Sequence, residues 1–330
     1  MVSEEKLFGK NILITGGLGM IGSNLAHALV KSGAKVTILD ALLPLYGGNK
    51  SNLKKIDNKL KIIIGDIRNS SLVNELVKNR DFIFHLAAQV SYIDSMSDPL
   101  LDLDINCRGH LILLEACRKV NPTAKIIFSG SRMEYGKTYS LPVDEEHPTN
   151  PLITYGVHKL TAEKYNLVYW HNFKIPTVTV RITNPYGPRQ QMKHSKYGII
   201  NWFIRLAMEN KIISIFGNGQ QIRDYIYVDD IVQGLLRIAV SPNSAGQVYN
   251  LGSGKGTKFI DMVKMVLEIV GLGQFEMVDW PKNYQNIETG DFIADISKIT
   301  QQTGWRPKTP LKDGITQTVR FYKKYRRYYW

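Results

Sequence analysis

The first half of the chain alternates short, continuously apolar, β-branched runs with longer segments of helical periodicity. KNILITG (10–16) is one such run and ends in a glycine turn; AKVTILD, LKIIIGD, RDFIFHLAA and AKIIFSG repeat the pattern, each separated by enough chain for a crossover helix. Near-continuous apolar strands between helices predict a parallel sheet covered on both faces. IGSNLAHALVKSG places apolar residues at Ile21, Leu25, Ala28 and Leu29 and stops at Gly33, which predicts a helix with one core-facing stripe. LLDLDINCRGHLILLEACRKV and YGVHKLTAEKYNLVYWHNF are the two longest amphipathic helices, and TVTVRITNPYGP closes the first half with a further strand.

After Pro185 the texture is less regular. IINWFIRLAMENK, VDDIVQGLLRIAV and KFIDMVKMVLEIVG read as helices, and FGNGQQIRD as a turn before a strand. The expected architecture is α/β, with a doubly wound parallel sheet (Rossmann) over residues 1–183 and a smaller mixed α/β domain over 184–330. Segments around 228–252 are expected to pack back on the first domain. Ligand belongs in the cleft outside the strand C-termini.

Composition narrows the partners. The 330 residues suffice for one large or two modest domains, and 44% hydrophobic residues fit a soluble globular protein. No apolar run approaches the roughly 20 residues needed to span a bilayer. The N-terminal MVSEEKLFGK lacks the pattern of a secretory signal. Cys107 and Cys117 share one helical segment and make no disulfide framework, so a cytoplasmic location is expected. The formal net charge of +13 suits nucleic acid, an acidic membrane surface or an anionic small substrate, but also a lysine-rich solvated surface. No nucleic-acid-binding module is recognisable, so no nucleic-acid partner is expected. Only the tail FYKKYRRYYW concentrates basic residues, among aromatics, and it reads as a terminal helix with a solvated face or as a partner or membrane contact.

TGGLGMIG (15–22) lies between a strand and a helix. Gly16 permits the tight turn, Gly19 lets backbone approach a pyrophosphate, Gly22 allows close helix packing, and the helix N-terminus at Met20 and Ile21 faces the phosphates. The spacing is GxxGxxG, and glycines also make ordinary turns. Asp40 ends the second strand, where a carboxylate accepts from both ribose hydroxyls and repels a 2′-phosphate, which favours NAD over NADP. Asp66 ends the third strand, where it can meet an adenine amino group or cap the following helix.

Tyr155 and Lys159 lie one helical turn apart on one face. A tyrosine normally titrates near pH 10, and a nearby ammonium favours its phenolate. Ser131, on the small-residue stretch FSGSRMEYG, can hydrogen-bond the same substrate hydroxyl. That set suits acid–base transfer coupled to a hydride step carried by the cofactor.

Across about residues 10–320 the chain resembles an extended short-chain dehydrogenase/reductase of the NAD-dependent nucleotide-sugar epimerase/dehydratase family, in which it is similar to the UDP-hexose 4-epimerases. TGGLGMIG, DIR (66–68), HLAA (85–88), Asn106, Ser131, YGVHK, RITNPYGPR, FGNGQQIRDYIYVDD and DISK all match family positions. The resemblance implies NAD held by Gly16, Gly19, Met20, Ile21, Gly22, Asp40, Asp66, Ile67, Leu86, Ala87, Ala88, Asn106, Tyr155 and Lys159. It implies Tyr155 as base, Lys159 as its tuner and Ser131 as hydroxyl partner. Asn184 and Arg223 match contacts to a nucleoside-diphosphate sugar, expected to be a UDP-hexose, and Gln89 and Ser91 fall among the family's pocket residues. It also implies a homodimer formed by the two long helices. The late arginine common in the family is missing from WPKNYQNIETGDFIADISK, where Lys282 is the nearest substitute.

The triplet after Ser131 narrows the reaction. In the family's 4,6-dehydratases, Asp and Glu occupy the positions of Arg132 and Met133 and run the elimination of water. The nucleotide-pentose decarboxylases place Glu at Met133. Neither residue here can serve as a carboxylic acid, and on an extended segment Glu134 would point to the opposite face. What remains is epimerisation at C4 through a transient 4-keto sugar. Arg132 is read as a partner of Glu134 or a neighbouring loop, or of an anionic sugar such as a uronic acid.

Overall fold

The computed structural model describes residues 2–44 and 46–330. Its centre is a seven-stranded sheet of β1 (Asn11–Thr15), β2 (Lys35–Asp40), β3 (Lys61–Ile64), β4 (Phe82–His85), β5 (Lys125–Ser131), β6 (Thr177–Ile182) and β10 (Val248–Leu251). The spatial order is β10-β6-β5-β4-β1-β2-β3, with every pairing parallel. Chain order reverses between β1 and β4, so the crevice at their C-terminal ends is the topological switch point where this class of sheet holds ligand.

Apolar side chains on alternate strand positions feed two opposite cores. Ile12, Ile14, Val36, Ile38, Phe84 and Ile127 pack with Leu25, Leu29 and Leu235 from helices Met20–Lys31 and Val228–Val240. Leu13, Leu39, Ile83 and Ile126 pack on the other face with Leu113, Cys117 and Tyr169, from helices Gly109–Val120 and Thr154–Phe173. The period-2 alternation thus accounts for the apolar runs being two-sided rather than amphipathic. Cys107 and Cys117 are free and buried.

The remaining strands are β7 (Asn184–Tyr186), β8 (Ile212–Phe216), β9 (Ile222–Tyr227), β11 (Gly256–Lys258) and β12 (Gln274–Val278). They form a three-stranded sheet β11-β9-β7 and a two-stranded sheet β12-β8. A third core joins this region to helices Ile199–Met208, Phe259–Val270 and Leu311–Tyr325. The single strand expected in TVTVRITNPYGP is two, β6 and β7, because the chain leaves the large sheet at Thr183 and joins β9.

The C-terminal tail folds onto the first half. Helix Leu311–Tyr325 and a 3-10 turn at Arg326–Tyr328 bring Tyr329 Oη to Asn52 Oδ1 at 2.5 Å, and Asn49 Nδ2 to the Tyr328 carbonyl at 2.9 Å. The tail's buried aromatics, Tyr322 and Tyr329, face the protein while Lys323, Lys324, Arg326 and Arg327 are exposed. No helix among the described residues is long and apolar enough to cross a membrane.

Candidate active site

A cavity of about 400 Å³ opens at the C-terminal ends of the central strands, between the large sheet and the smaller region. One end is built by the β1 turn. Gly16 has φ +71°, and a Cβ there would meet the Ala87 amide nitrogen at 2.7 Å, so only glycine fits against the β4 end. At Gly22 a Cβ would meet Gly17 Cα at 2.7 Å, which ties the helix start to the turn. Gly19 faces open space instead, with nothing nearer than the Gly16 carbonyl oxygen at 3.4 Å. Helix Met20–Lys31 has no side-chain cap, so the first-turn amides of Met20, Ile21 and Gly22 look out from the cavity wall. A bare amide cradle at a helix N-terminus fits a pyrophosphate.

Asp40 closes the same end. Its carboxylate accepts the Leu18 and Leu42 amides, each at 2.9 Å, and burial raises its pKa against the pull of those two bonds. Asp66, Ile67, Leu86, Ala87 and Ala88 line the neighbouring wall. Asp66 is not the helix cap, since Asn69 caps helix Ser70–Leu76. The Arg68 guanidinium grips Asp66 at 2.7 and 2.9 Å and holds its carboxyl below the usual range. Asn106 lies behind the wall, exchanging bonds of 3.1 and 2.9 Å with the Gln89 backbone and so bracing the segment that follows β4.

Tyr155, Lys159 and Ser131 converge at the other end. Ser131 ends β5, and Tyr155 and Lys159 project from helix Thr154–Phe173, which packs against that strand. Burial drives the Tyr155 hydroxyl well above its ordinary value, while a hydrogen bond with Ser131 opposes the rise. Lys159 is buried as well, which lowers it to about 8. Its Nζ donates to the Ser129 carbonyl at 2.8 Å and stands 6.0 Å from the Tyr155 ring centroid. The lysine therefore acts on the tyrosine through space or through a bound hydroxyl rather than by a direct bond.

The residues after Ser131 form a 3-10 turn, Arg132–Glu134, not an extended segment. Ser131 Oγ accepts the Met133 amide at 3.2 Å and Glu134 Oε1 accepts the Ser131 amide at 2.7 Å. Glu134 is also bound by Arg181, whose guanidinium grips Glu163 at 2.7 and 2.9 Å. The expected pairing of Arg132 with Glu134 is thereby corrected: the turn sends the carboxyl inward to Arg181 and the guanidinium toward Asn184.

Of the candidate sugar-side residues, Asn184 lines the cavity, whereas Gln89, Ser91, Arg132, Met133 and Arg223 stand behind its wall. Gln89 turns inward to the Ser91 carbonyl, and the alternating backbone leaves Val90 and Tyr92 on the cavity. Arg223 pairs with Glu288. Lys282 is exposed and lies outside the lining. Thr183, Tyr225 and the loop 190–200 complete the wall, and Lys196 ties that loop to Asp94 at 2.7 Å. These went unnoticed in the sequence because an irregular loop and a tyrosine inside a strand carry no pattern of their own.

Comparison with known proteins agrees with this geometry. The sequence profile of the NAD dependent epimerase/dehydratase family matches residues 12–252. A UDP-glucose 4-epimerase of Mycolicibacterium smegmatis is 31% identical over 94% of this chain and 98% of its own. The human dTDP-D-glucose 4,6-dehydratase is 29% identical over 96% of this chain and 91% of its own. Among solved structures, an epimerase of Methanothermobacter thermautotrophicus superposes with a TM-score of 0.93 at 28% identity, covering 99% of this chain and 96% of that one. With a glycine cradle and a ribose-side carboxylate at one end of the cavity and a tyrosine–lysine pair at the other, the chain belongs to the NAD-dependent epimerase/dehydratase family, and its cofactor is NAD.

Proposed function

We propose that the protein epimerises a nucleoside-diphosphate hexose at C4, with a UDP-sugar as substrate. One observation carries this reading: among the described residues, the only carboxyl groups lining the cavity are Asp40 and Asp66, both at the glycine-cradle end. The reacting end has no acid to protonate a leaving hydroxyl and no carboxylate to take a proton from C5, so elimination lacks its groups. Glu134 does not substitute, being engaged by Ser131 and Arg181.

NAD, held by the cradle amides, Asp40 and Lys159, supplies hydride acceptance and return. Tyr155 takes the C4 hydroxyl proton and later restores it, with Ser131 holding that hydroxyl in line. Tyr155 is protonated at neutral pH at its ordinary value and burial raises it further, so its basicity depends on positive charge nearby, from Lys159 and from the oxidised nicotinamide. Asn184, on the cavity wall, belongs to the sugar-diphosphate side, and Arg223 is held behind that wall by Glu288.

The reading extends to a cytoplasmic homodimer. Leu100 is 73% exposed, Val157 45% and Val168 47%, an apolar row on helices Pro99–Leu103 and Thr154–Phe173 that a second copy would cover. Incubation with UDP-, GDP-, CDP- and dTDP-hexoses, with products read by NMR, tests the activity. A C4-inverted product without net NADH change is expected. A product lacking the elements of water makes the enzyme a dehydratase, and steady consumption of NADH makes it a reductase; either result removes the epimerase reading. Light scattering reads the dimer.

A further inference from the structure

Arg132 immediately follows Ser131 and is buried, with no ion pair of its own among the described residues. Its Nε donates to Asn184 Oδ1 at 3.2 Å and its Nη1 to Thr289 Oγ1 at 3.0 Å, both neutral acceptors. The other guanidinium N–H groups have no acceptor among the described residues, and the group lies 5.6 Å over the Phe292 ring. The carboxylates within reach are committed elsewhere, Glu134 to Arg181 and Glu288 to Arg223. Arg132 and Arg223 thus share one carboxylate, which leaves a buried positive charge in surplus. Arginine keeps its proton under any physiological condition, and an uncompensated buried charge costs several kcal/mol that an apolar side chain of similar volume would avoid. A fold that keeps such a charge beside its reacting groups is holding it for an anion.

A second, independent observation marks the same place. Tyr225 lines the cavity, and its hydroxyl is fully buried with no hydrogen-bond partner. Such a group is costly unless a ligand completes it. Tyr225 and Tyr92 are both electrostatic neighbours of Arg132, and the Tyr92 ring packs 5.3 Å from that of Tyr155. Asn184, which lines the cavity, accepts from Arg132 and stands in register with Tyr225, so the guanidinium and the unpaired phenol meet at that stretch of wall, the guanidinium directly behind it. Asn184 is a bracket in this arrangement, its Nδ2 committed to the Asp224 carbonyl at 3.0 Å and its Oδ1 to Arg132.

We propose that Arg132 and Tyr225 form an oxyanion-reading subsite, and that the hexose taken by this protein carries a carboxylate, as a uronic acid does. This rests on the cavity being a nucleotide-sugar site. Binding to the NAD-loaded Tyr155→Phe protein, measured by calorimetry with UDP-glucuronate, UDP-glucose and UDP, separates the two. UDP-glucuronate should bind tighter than UDP-glucose by about tenfold to a hundredfold, the worth of a charge-assisted pair. Arg132→Gln should bring that ratio near one while leaving UDP binding within about twofold of its starting value. Tyr225→Phe, a milder change, should lower the ratio about threefold to tenfold. Equal binding of the two sugars, or an Arg132→Gln loss shared equally by UDP, would assign the guanidinium to the diphosphate and overturn the proposal. If UDP-glucuronate binds preferentially but the unmodified enzyme leaves its C4 configuration unchanged, the epimerase reading fails and the subsite stands.

Discussion

Lys159→Met separates what the active site costs the fold from what it gives the chemistry. Burial lowers the Lys159 ammonium from 10.5 to about 8. The group titrates lower in the folded than in the unfolded chain, so the unfolded chain binds the extra proton. Its destabilisation is complete below pH 8, shrinks as pH rises from 8 to 10.5, and vanishes above that. At about 1.4 kcal/mol per pH unit, the shift amounts to about 3 kcal/mol at pH 7 and less than about 1 kcal/mol at pH 10. Methionine removes the charge at similar volume but strands the Ser129 carbonyl that Lys159 holds at 2.8 Å, a loss of about 1 kcal/mol. The variant should therefore be about 2 kcal/mol more stable than the parent at pH 7, and roughly equal or slightly less stable at pH 10. Urea unfolding of NAD-free protein, followed by tryptophan fluorescence at both pH values, reads the difference, because titrating groups that do not feel the Lys159 charge cancel between parent and variant. Turnover should fall by about a hundredfold or more as the tyrosine loses its cationic neighbour. A stability gain of equal size at pH 7 and pH 10 would show that the lysine does not titrate with a lowered pKa, and the account of its burial would be wrong.

Gly22→Ala places a methyl 2.7 Å from Gly17 Cα, so the glycine turn must move; expect a loss of about 1–3 kcal/mol in stability and at least about tenfold in NAD affinity, read by denaturation and by cofactor titration. Tyr329→Phe removes the bond to Asn52, whose Nδ2 holds the Leu18 carbonyl of that turn at 2.8 Å. It should cost about 1–3 kcal/mol and weaken NAD binding, although residue 329 lies far along the chain from the cradle. Glu134 titrates well above the ordinary carboxyl value, chiefly through burial and then through Glu163. That raised value destabilises the fold increasingly as pH climbs above the unfolded value of 4.5, so Glu134→Gln should be near neutral at pH 4 and progressively more stable than the parent toward pH 7, by thermal unfolding.

Hydrophobic periodicity gave away the large sheet because its strands are buried on both faces and its crossovers are helical, so local pattern and tertiary burial coincide. The cradle was legible for a similar reason. Gly22 is constrained by backbone within the same strand–turn–helix unit and Gly16 by its positive φ, with the backbone after β4 pressing on it as well, and only glycine satisfies both. The smaller region resisted such reading. β7 and β9 pair across a long sequence separation, and β11 joins them antiparallel, so no short window contains the partner that fixes each strand. The tail is the terminal helix with a solvated basic face that its letters suggest. What they do not show is that Tyr322 and Tyr329 complete the core of the smaller region and that Tyr329 reaches Asn52 in the first half.

The RME triplet shows how far residue identity alone can carry a functional reading. Absence of acid at Arg132 and Met133 follows from the letters, and the cavity lining agrees, with no carboxyl at the reacting end among the described residues. The partner of Arg132 does not follow from the letters. A glutamate two positions away invites an ion pair, but the Ser131–Glu134 capping box turns the chain into a 3-10 helix and sends Glu134 to the buried Arg181–Glu163 pair. That choice belongs to β6 and helix Thr154–Phe173, which carry Arg181 and Glu163 and are distant in sequence from the triplet. The same event that removes the obvious counter-charge leaves the guanidinium bracketed by Asn184 and Thr289 beside the unpaired Tyr225 hydroxyl. Restoring a counter-charge should therefore be harmful to recognition. Thr289→Glu directs a carboxylate toward Arg132 Nη1 at a buried position, and it should cost about 1–3 kcal/mol in stability through the added volume. It should also abolish any preference for a carboxylated sugar. A Thr289→Glu protein that kept the preference intact would show that the anion is read elsewhere.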